Sequence, residues 1–192
     1  DIGPFNHFAD YLVREFKGEA CDKDGVYGKK GKVVPKILED LFDNIAINEK
    51  GDNFYLLAPP KSSDPSWYKV LAVMDCKEYS FFDVLRTIEY LSTYTFVYNL
   101  KYIPTEMEMP HYFLVFGGGW KNPVCMQDFK DLLDGQAFVL KKHQNVFNEI
   151  YKRFTQTPQI SWSDKYGYSG EYMEARIFAD MAYHLIQKQP FT

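Results

Sequence analysis

Hydrophobic residues recur at the spacing of an amphipathic helix in six stretches of the chain. The longest stretch, residues 80–98, carries apolar side chains on one broad face and predicts a helix that packs against the core. Pro35 is suited to the first turn of the second helix, because that position needs no backbone N–H donor. The predicted helices cover residues 5–17, 35–45, 80–98, 126–133, 143–154 and 171–187.

Three shorter apolar runs, bounded by glycine, proline or serine, are typical of β-strands. They cover residues 53–57, 67–74 and 112–116. The second run is apolar on both faces toward its end, which predicts a central strand. The order of the elements indicates an α/β fold with a mixed central β-sheet flanked by helices. We expect a single domain over residues 1–192, with a core at about 33–135 and a C-terminal helical extension at 155–192.

The composition is that of a globular protein, since 46% of the 192 residues are hydrophobic and 25% are charged. The formal net charge of −4 argues against a grip on nucleic acid along the whole chain, although a local basic patch can serve a nuclease. The three cysteines form neither a disulfide framework nor a zinc signature, which predicts a reducing, cytoplasmic location. We recognise no signal peptide and no apolar run of membrane-spanning length, so no membrane partner is expected.

A candidate catalytic motif follows the second predicted strand, which runs directly into Asp75-Cys76-Lys77. Residues i and i+2 of a strand point to the same face, so Asp75 and Lys77 would project together from the strand end. A carboxylate that holds a divalent cation, beside an ammonium group that orients water, is suited to metal-dependent cleavage of a phosphodiester. The backbone carbonyl of Cys76 would supply a further metal ligand.

The same acid–x–lysine spacing occurs elsewhere, and about two or three such triplets are expected by chance from the numbers of acids and lysines. The others are Glu15-Phe16-Lys17 and Asp128-Phe129-Lys130, which lie in helical patterns. Because only the Asp75 triplet follows a strand-like run, its context favours it as the catalytic motif.

A Mg²⁺ or Mn²⁺ ion in such a site needs a second carboxylate, and three acids are candidates. Asp52 precedes the strand predicted over residues 53–57 and is favoured over Asp64, which lies in a turn rich in proline and serine. Glu39 is an auxiliary candidate on the polar face of the preceding helix. Each acid has an ordinary alternative, since Asp52 and Asp64 suit turns and Glu39 suits a solvated helix face.

Basic side chains and a glycine run are candidates for phosphate contact. Lys29, Lys30 and Lys32 form a basic cluster that either contacts a nucleic-acid backbone or belongs to a solvated loop. Arg86, on the longest helix, is a further candidate. Gly117–Gly119 ends the third strand, but no Gly-Lys-Ser/Thr sequence follows it, so a strand-ending turn is favoured over a phosphate-binding loop.

Three local features resemble the PD-(D/E)XK restriction-endonuclease-like superfamily, and within it most closely the FokI-type cleavage domain. Ile37-Leu38-Glu39 opens a helix ahead of the first acid, and Asp75-Cys76-Lys77-Glu78-Tyr79-Ser80 resembles the strand-ending motif of that family. Residues 112–118 resemble a later core strand that runs into a glycine-containing turn. The resemblance implies a restriction-endonuclease-like mixed sheet, Mg²⁺-dependent cleavage, metal ligation by Asp52 and Asp75, and activation of water by Lys77.

The sequence therefore predicts a metal-dependent endonuclease that hydrolyses DNA in a restriction, defence or mobile-element system. The resemblance also implies a homodimer, and the start of the chain at Asp1 leads us to expect a separate recognition domain. The alternative is an acidic binding protein of the inhibitor or immunity type, or a catalytically silent relative of the nucleases. The negative charge and the 18% aromatic content fit a binding protein at least as well.

Overall fold

The computed structural model describes residues 2–62 and 78–190 of the chain. The described helices are α1 (His7–Lys17), α2 (Pro35–Asn44), α3 (Phe81–Asn99), α4 (Pro123–Leu133), α5 (Gln144–Arg153) and α6 (Met173–Ile186). The described strands are β1 (Tyr112–Val115) and β2 (Gln159–Trp162). All six helices predicted from the apolar spacing are confirmed. Helix α4 begins earlier than predicted because Pro123 occupies its first turn.

Helix α3 lies at the centre of the hydrophobic core, with α1, α2, α4 and α5 packed around it. It begins after Ser80, whose hydroxyl oxygen accepts a hydrogen bond from the backbone N–H of Asp83 at 3.1 Å. Aromatic rings fill the space between the helices, as where the ring centroids of Tyr94 and Phe147 lie 4.9 Å apart. The helix is therefore buried on most of its circumference, rather than on the single face that its sequence pattern predicts.

The two strands form a parallel sheet in which Tyr112 lies opposite Gln159 and Val115 lies opposite Trp162. Their connection contains α4 and α5, in keeping with the long crossover that a parallel pair requires. The sequence pattern does not predict β2, because its four residues are too few to show a clear period. The parallel register brings the carboxyl ends of both strands to one edge of the sheet.

The strand predicted over residues 53–57 is wrong, because Phe54–Leu56 forms a 3₁₀ turn. The side chain of Asn53 starts this turn by accepting a hydrogen bond from the backbone N–H of Tyr55 at 2.9 Å. A short apolar run by itself does not distinguish a strand from a buried turn. The strand predicted over residues 67–74 lies outside the described residues, so the wider mixed sheet stays a prediction.

Two apolar surfaces are bare in the described part of the chain. On β1, Tyr112 is 54% exposed and its neighbour on the same face, Leu114, is also exposed, although parallel sheets are normally covered on both faces. Helix α6 buries none of its residues, and Leu185 is 79% exposed. We call these two surfaces the bare β1 face and the bare α6 helix. Of the helices described, none combines the length and apolarity needed to cross a membrane.

Candidate functional site

The carboxyl ends of β1 and β2 share one edge of the sheet, which is where open α/β sheets commonly bind ligands. Beyond β1 the chain turns toward α4 through Gly117–Gly119, here called the glycine turn. Gly117 has φ 88° and ψ 166°, a conformation essentially restricted to glycine. Gly118 has no atom within 4 Å of the position that a Cβ would take. The predicted strand-ending turn is confirmed, and its backbone faces open space at Gly117 and Gly118.

Two pockets adjoin the glycine turn, and Gly118 and Lys121 line both of them. The first pocket, of about 340 Å³, lies between the turn, α1, the middle of α3 and residues 21–24. Its polar lining includes Asn6, Asp22, Lys23, Asp24, Glu89 and Asn122. The second pocket, of about 520 Å³, lies on the β2 side of the turn. Its lining includes Trp162, Asp164, Ser169, Gly170 and Glu171.

One wall of the first pocket belongs to the segment 21–31, here called the glycine-spaced segment because glycine recurs at positions 25, 28 and 31. The backbone N–H groups of Tyr27 and Gly28 each donate a hydrogen bond to the Asp22 carboxylate at 2.8 Å. Gly28 lies so close to α3 that a Cβ there would be 2.1 Å from Glu89 Oε2. A glycine at this position therefore allows the segment to lie directly against the helix.

Glu89 and Asp22 form a buried carboxyl pair between α3 and the glycine-spaced segment. Glu89 is 2% exposed, and the amide of Asn122 donates a hydrogen bond to its Oε1 at 2.8 Å. Among the described residues no group donates a hydrogen bond to the other oxygen, Oε2, which lies beside Asp22: a Cβ at Gly28 would be 2.1 Å from Glu89 Oε2 and 3.1 Å from Asp22 Oδ2. Burial, together with the hydrogen bond to Asp22 and the charge of Asp22, raises the pKa of Glu89 to about 8. At this raised pKa, the protonated carboxyl group of Glu89 is a hydrogen-bond donor that the neighbouring Asp22 carboxylate can accept.

Arg86, one turn before Glu89 on α3, forms two hydrogen bonds to the Asp128 carboxylate of α4, at 2.6 and 2.5 Å. Only 17% of the Arg86 side chain and 7% of the Asp128 side chain are exposed. Burial raises the pKa of Asp128, while the guanidinium group acts in the opposite direction. The structure thus gives Arg86 an internal partner, rather than the open position that contact with a nucleic-acid backbone requires.

The predicted nuclease motif Asp75-Cys76-Lys77 and the alternative acid Asp64 lie outside the described residues. Asp52 lies in the turn after α2, where its backbone N–H and its carboxylate bond to the asparagine side chain four residues earlier, at 2.9 and 3.0 Å. Glu39 lies on α2, with its carboxylate 3.4 Å from Lys142 Nζ. Over residues 2–62 and 78–190, no group of three or more His, Cys, Asp or Glu side chains is placed to hold a metal ion. The structure therefore does not bring Asp52 and Glu39 into a complete metal site.

The predicted basic cluster is exposed, with Lys29 and Lys30 in the glycine-spaced segment and Lys32 directly after it. The ammonium group of Lys29 donates to the backbone carbonyl of Asp24 at 2.8 Å, and Lys30 Nζ lies 5.6 Å from the ring centroid of Tyr27. Lys32 contacts α3 through its backbone N–H, which donates to a first-turn carboxylate of that helix at 2.8 Å. These contacts hold the segment in place and match the solvated-loop alternative.

Asp22, Glu89 and Asn122 were not identified from the sequence. Two features of the sequence could have directed attention to this part of the chain. Glycine at every third position of a polar segment is typical of a backbone that approaches another element closely. Glu89 stands between Ile88 and Tyr90 in a helix that is otherwise mostly apolar and uncharged. A carboxyl group in such a setting needs a hydrogen-bonding partner, which the tertiary structure supplies.

Comparison with known proteins identifies a different family from the nucleases. A family model described as anhydro-N-acetylmuramic acid kinase matches residues 1–149. The anhydro-N-acetylmuramic acid kinase of Actinobacillus pleuropneumoniae serotype 7 (strain AP76) is 27% identical over 190 residues, which cover 97% of this chain and 43% of the relative. The anhydro-N-acetylmuramic acid kinase of Pasteurella multocida (strain Pm70) is 28% identical over 195 residues, which cover 99% of this chain and 43% of the relative. The chain thus spans less than half the length of these curated relatives.

These matches overturn the resemblance to the PD-(D/E)XK superfamily and the FokI-type domain. The resemblance depended on short motifs such as Asp75-Cys76-Lys77, which arise by chance, whereas the family match extends over residues 1–149. The predicted DNA endonuclease and its DNA partner are therefore wrong, and the inhibitor, immunity-protein and inactive-nuclease alternatives are not supported either.

The roles that were assigned to individual residues because the chain was predicted to be a nuclease no longer apply. Nucleic-acid contact by the lysine cluster and by Arg86 loses its basis, as do the homodimer and the recognition domain that the resemblance implied. The roles given to Asp52, Asp75 and Lys77 in phosphodiester cleavage are withdrawn for the same reason. The domain boundaries and the cytoplasmic location stay predictions.

Proposed function

This chain belongs to the anhydro-N-acetylmuramic acid kinase family, and from that premise we propose that it forms one wall of the active site of a kinase that phosphorylates anhydro-N-acetylmuramic acid. Because the chain spans less than half the length of its relatives, the remainder of such a kinase would supply the opposite wall. The bare β1 face and the bare α6 helix support this arrangement, since both present apolar side chains that packing against another part would cover.

The proposal rests on the glycine turn and on the two residues, Gly118 and Lys121, that both pockets share. Phosphoryl transfer depends mainly on holding donor and acceptor together and on neutralising the charge of the phosphates. Two adjoining pockets with open backbone and an ammonium group between them are suited to both tasks. The transferred phosphoryl group would lie over this shared wall.

The second pocket has the chemistry of a nucleoside site. Trp162 at the end of β2 is partly exposed, and an aromatic face stacks favourably on a purine base. Asp164 and Glu171 offer carboxylate acceptors for ribose hydroxyl groups, and Ser169 adds a hydroxyl group. With the nucleoside of ATP in this pocket, its phosphates would extend across the glycine turn toward Lys121.

The first pocket would receive the terminal phosphates, with the acceptor sugar approaching from its open side. Lys23 and Lys121 lie in its wall beside the carboxylates of Asp10, Asp22 and Asp24, and these two ammonium groups are the partners that we propose for the phosphate oxygens. Kinases use Mg²⁺ to neutralise the phosphates, so the ion predicted for the nuclease is proposed here for a different reaction. The described residues do not form an all-protein Mg²⁺ site. The ion would arrive on the nucleotide, where Mg²⁺ keeps several water ligands.

Lys121→Ala is expected to weaken the binding of ATP to the chain about tenfold, because the phosphates lose an ammonium partner. The affinity is measured by titrating the ¹⁵N-labelled chain with ATP and following the amide signals of the glycine turn. Lys141→Ala is the matched control, since Lys141 is also exposed but lines neither of the two pockets. This control variant should bind ATP as the wild type does.

Catalysis is tested by combining the chain with the region of the Pasteurella multocida kinase that it does not match. We expect Mg²⁺-dependent transfer of phosphate from ATP to anhydro-N-acetylmuramic acid, followed by ³¹P NMR, and a loss of this transfer in Lys121→Ala. The proposal would be overturned if ATP left the signals of the glycine turn unchanged. Equal transfer by Lys121→Ala and the wild type would exclude the shared wall as the site.

A further inference from the structure

Glu89 connects two walls of the first pocket from the middle of α3. On one side its Oε1 accepts the hydrogen bond from Asn122, whose own side-chain oxygen accepts from the backbone N–H of Val124 at 2.9 Å and so caps α4. On the other side its Oε2 lies beside Asp22 Oδ2, since both are within 3.1 Å of the position that a Cβ of Gly28 would take, and Asp22 accepts two backbone N–H groups of the glycine-spaced segment. A single buried side chain therefore holds both the start of α4 and the segment that carries Lys23.

The space between Glu89 and Asp22 suits a proton rather than a metal ion. The Cα of Gly28 lies against Glu89 Oε2, since a Cβ built there would be 2.1 Å from this oxygen. The described residues also provide no third acidic, cysteine or histidine ligand at this point. Two carboxyl groups that face each other form a hydrogen bond only when one of them is protonated. A shared proton is thus the contact that the packing permits.

We propose that Glu89 is a positioning residue, which uses a proton shared with Asp22 to hold the glycine-spaced segment and the start of α4 in the arrangement that shapes the first pocket. This inference rests on the proposed kinase function for the identity of the ligand, but the contact itself does not. Loss of the proton would place two negative charges face to face and open the pocket, so ligand binding becomes sensitive to pH.

The charged and titratable surroundings of Glu89 support this behaviour. The groups that face it or line the same pocket are Asp10 of α1, Cys21, Asp22, Lys23 and Asp24 of the glycine-spaced segment, Arg86 of α3, Lys121, and Cys125 and Asp128 of α4. Burial and Asp22 raise the pKa of Glu89 to about 8 against the opposing effect of Asn122 and Arg86. The proton is therefore lost over the range from about pH 7 to pH 9.

The stability of the chain should depend on pH in a direction that follows from this shift. In the unfolded chain Glu89 ionises near its ordinary pKa of 4.5, whereas in the folded chain it stays protonated to about pH 8. Between these values the folded state binds the extra proton, so the contribution of Glu89 to stability falls as the pH rises across this window. Above about pH 8 the contribution no longer changes.

The test compares wild type with Glu89→Gln, because glutamine keeps an acceptor for Asn122 and a donor for Asp22 but cannot ionise. In the wild type we expect the affinity for ATP to be about tenfold lower at pH 9 than at pH 7, as the protonated fraction falls by that factor. Glu89→Gln should bind equally at both pH values. The control Glu149→Gln, which removes an exposed carboxylate of α5, should retain the wild-type loss.

Amide hydrogen exchange provides a readout that needs no nucleotide. The protection factors of the Gly28 and Val124 amides should fall between pH 7 and pH 9 in the wild type and in Glu149→Gln, but not in Glu89→Gln. Asp22→Asn gives a second test, because removing the facing charge should move the midpoint of the wild-type change to lower pH.

The two proposals fail in distinguishable ways. Protection factors that fall equally in the wild type and Glu89→Gln, or that stay constant in the wild type, would overturn the shared proton. Protection that follows the expected pattern without any binding of ATP would support the contact made by Glu89 and count against the proposed nucleotide site.

Discussion

Arg86→Leu is expected to lower the free energy of unfolding by about 3–5 kcal/mol at pH 7, as is typical when one partner of a buried ion pair is removed. The guanidinium group makes hydrogen bonds of 2.6 and 2.5 Å to Asp128, whose side chain is only 7% exposed. Without Arg86, this carboxylate keeps its cost of desolvation and loses the charge that offsets it. Denaturant unfolding of the purified variant at pH 7 measures the difference.

A surface ion pair in the same chain provides the comparison. Lys152 lies 2.6 Å from Glu149 with both side chains largely exposed, so Lys152→Leu should change stability by about 1 kcal/mol at most. The double variant Arg86→Leu/Asp128→Leu should recover most of the loss, because it leaves no unpaired charge in the interior. A loss in Arg86→Leu no larger than that in Lys152→Leu would contradict the buried pair.

The loss in Arg86→Leu should also depend on pH. Burial already raises the pKa of Asp128, and without the guanidinium group it rises further. The variant therefore becomes less stable as the pH rises from the ordinary pKa of 3.8 through this raised value, since the folded state holds a proton that the unfolded state releases. The difference from the wild type should be smallest in acid, where Asp128 is neutral.

Gly31→Ala is expected to lower the free energy of unfolding by about 3 kcal/mol, at the upper end of the cost of overpacking. A Cβ at this position would lie 2.0 Å from the backbone carbonyl oxygen of Phe82 and 2.4 Å from its carbon. These atoms belong to the first turn of α3 and cannot move aside as the end of a flexible side chain can. Thermal and denaturant unfolding of the variant measure the effect.

Gly118→Ala is the matched control for this steric effect. No atom lies within 4 Å of the position of its Cβ, and its φ is outside the positive range that excludes other residues. We expect its free energy of unfolding to differ from the wild type by about 0.5 kcal/mol or less. Equal stability of Gly31→Ala and Gly118→Ala would show that the glycine-spaced segment does not rest on α3 as the structure describes.

The helices of this protein are predictable because their signal is local. Each of the six shows apolar residues at helical spacing, and Pro35 marks the first turn of α2. One strand was predicted wrongly at Phe54–Leu56, and one strand, β2, was missed. Both errors have the same cause, because these segments are too short for their apolar pattern to identify a strand or exclude one. The pairing of β2 with β1 also joins Gln159 to Tyr112, two residues 47 positions apart in the sequence.

The nuclease prediction shows how little a short motif determines. Asp75-Cys76-Lys77 follows a strand-like run, but triplets of this kind arise by chance in a chain with many acids and lysines. The family match draws on residues 1–149 and so combines many weak signals that no single motif carries. Gly117–Gly119, interpreted from the sequence as an ordinary turn, is indeed a turn, and its Gly118 lines both pockets together with Lys121.

Helix positions and the turn after β1 follow from the sequence alone, because each depends on residues a few positions apart. Packing alone decides that Glu89 faces Asp22, 67 positions earlier, and Asn122, 33 positions later. Packing likewise gives Arg86 a carboxylate partner on α4 instead of a phosphate. The reason is burial, which raises the pKa of Glu89 and is set by elements that come together from distant parts of the chain.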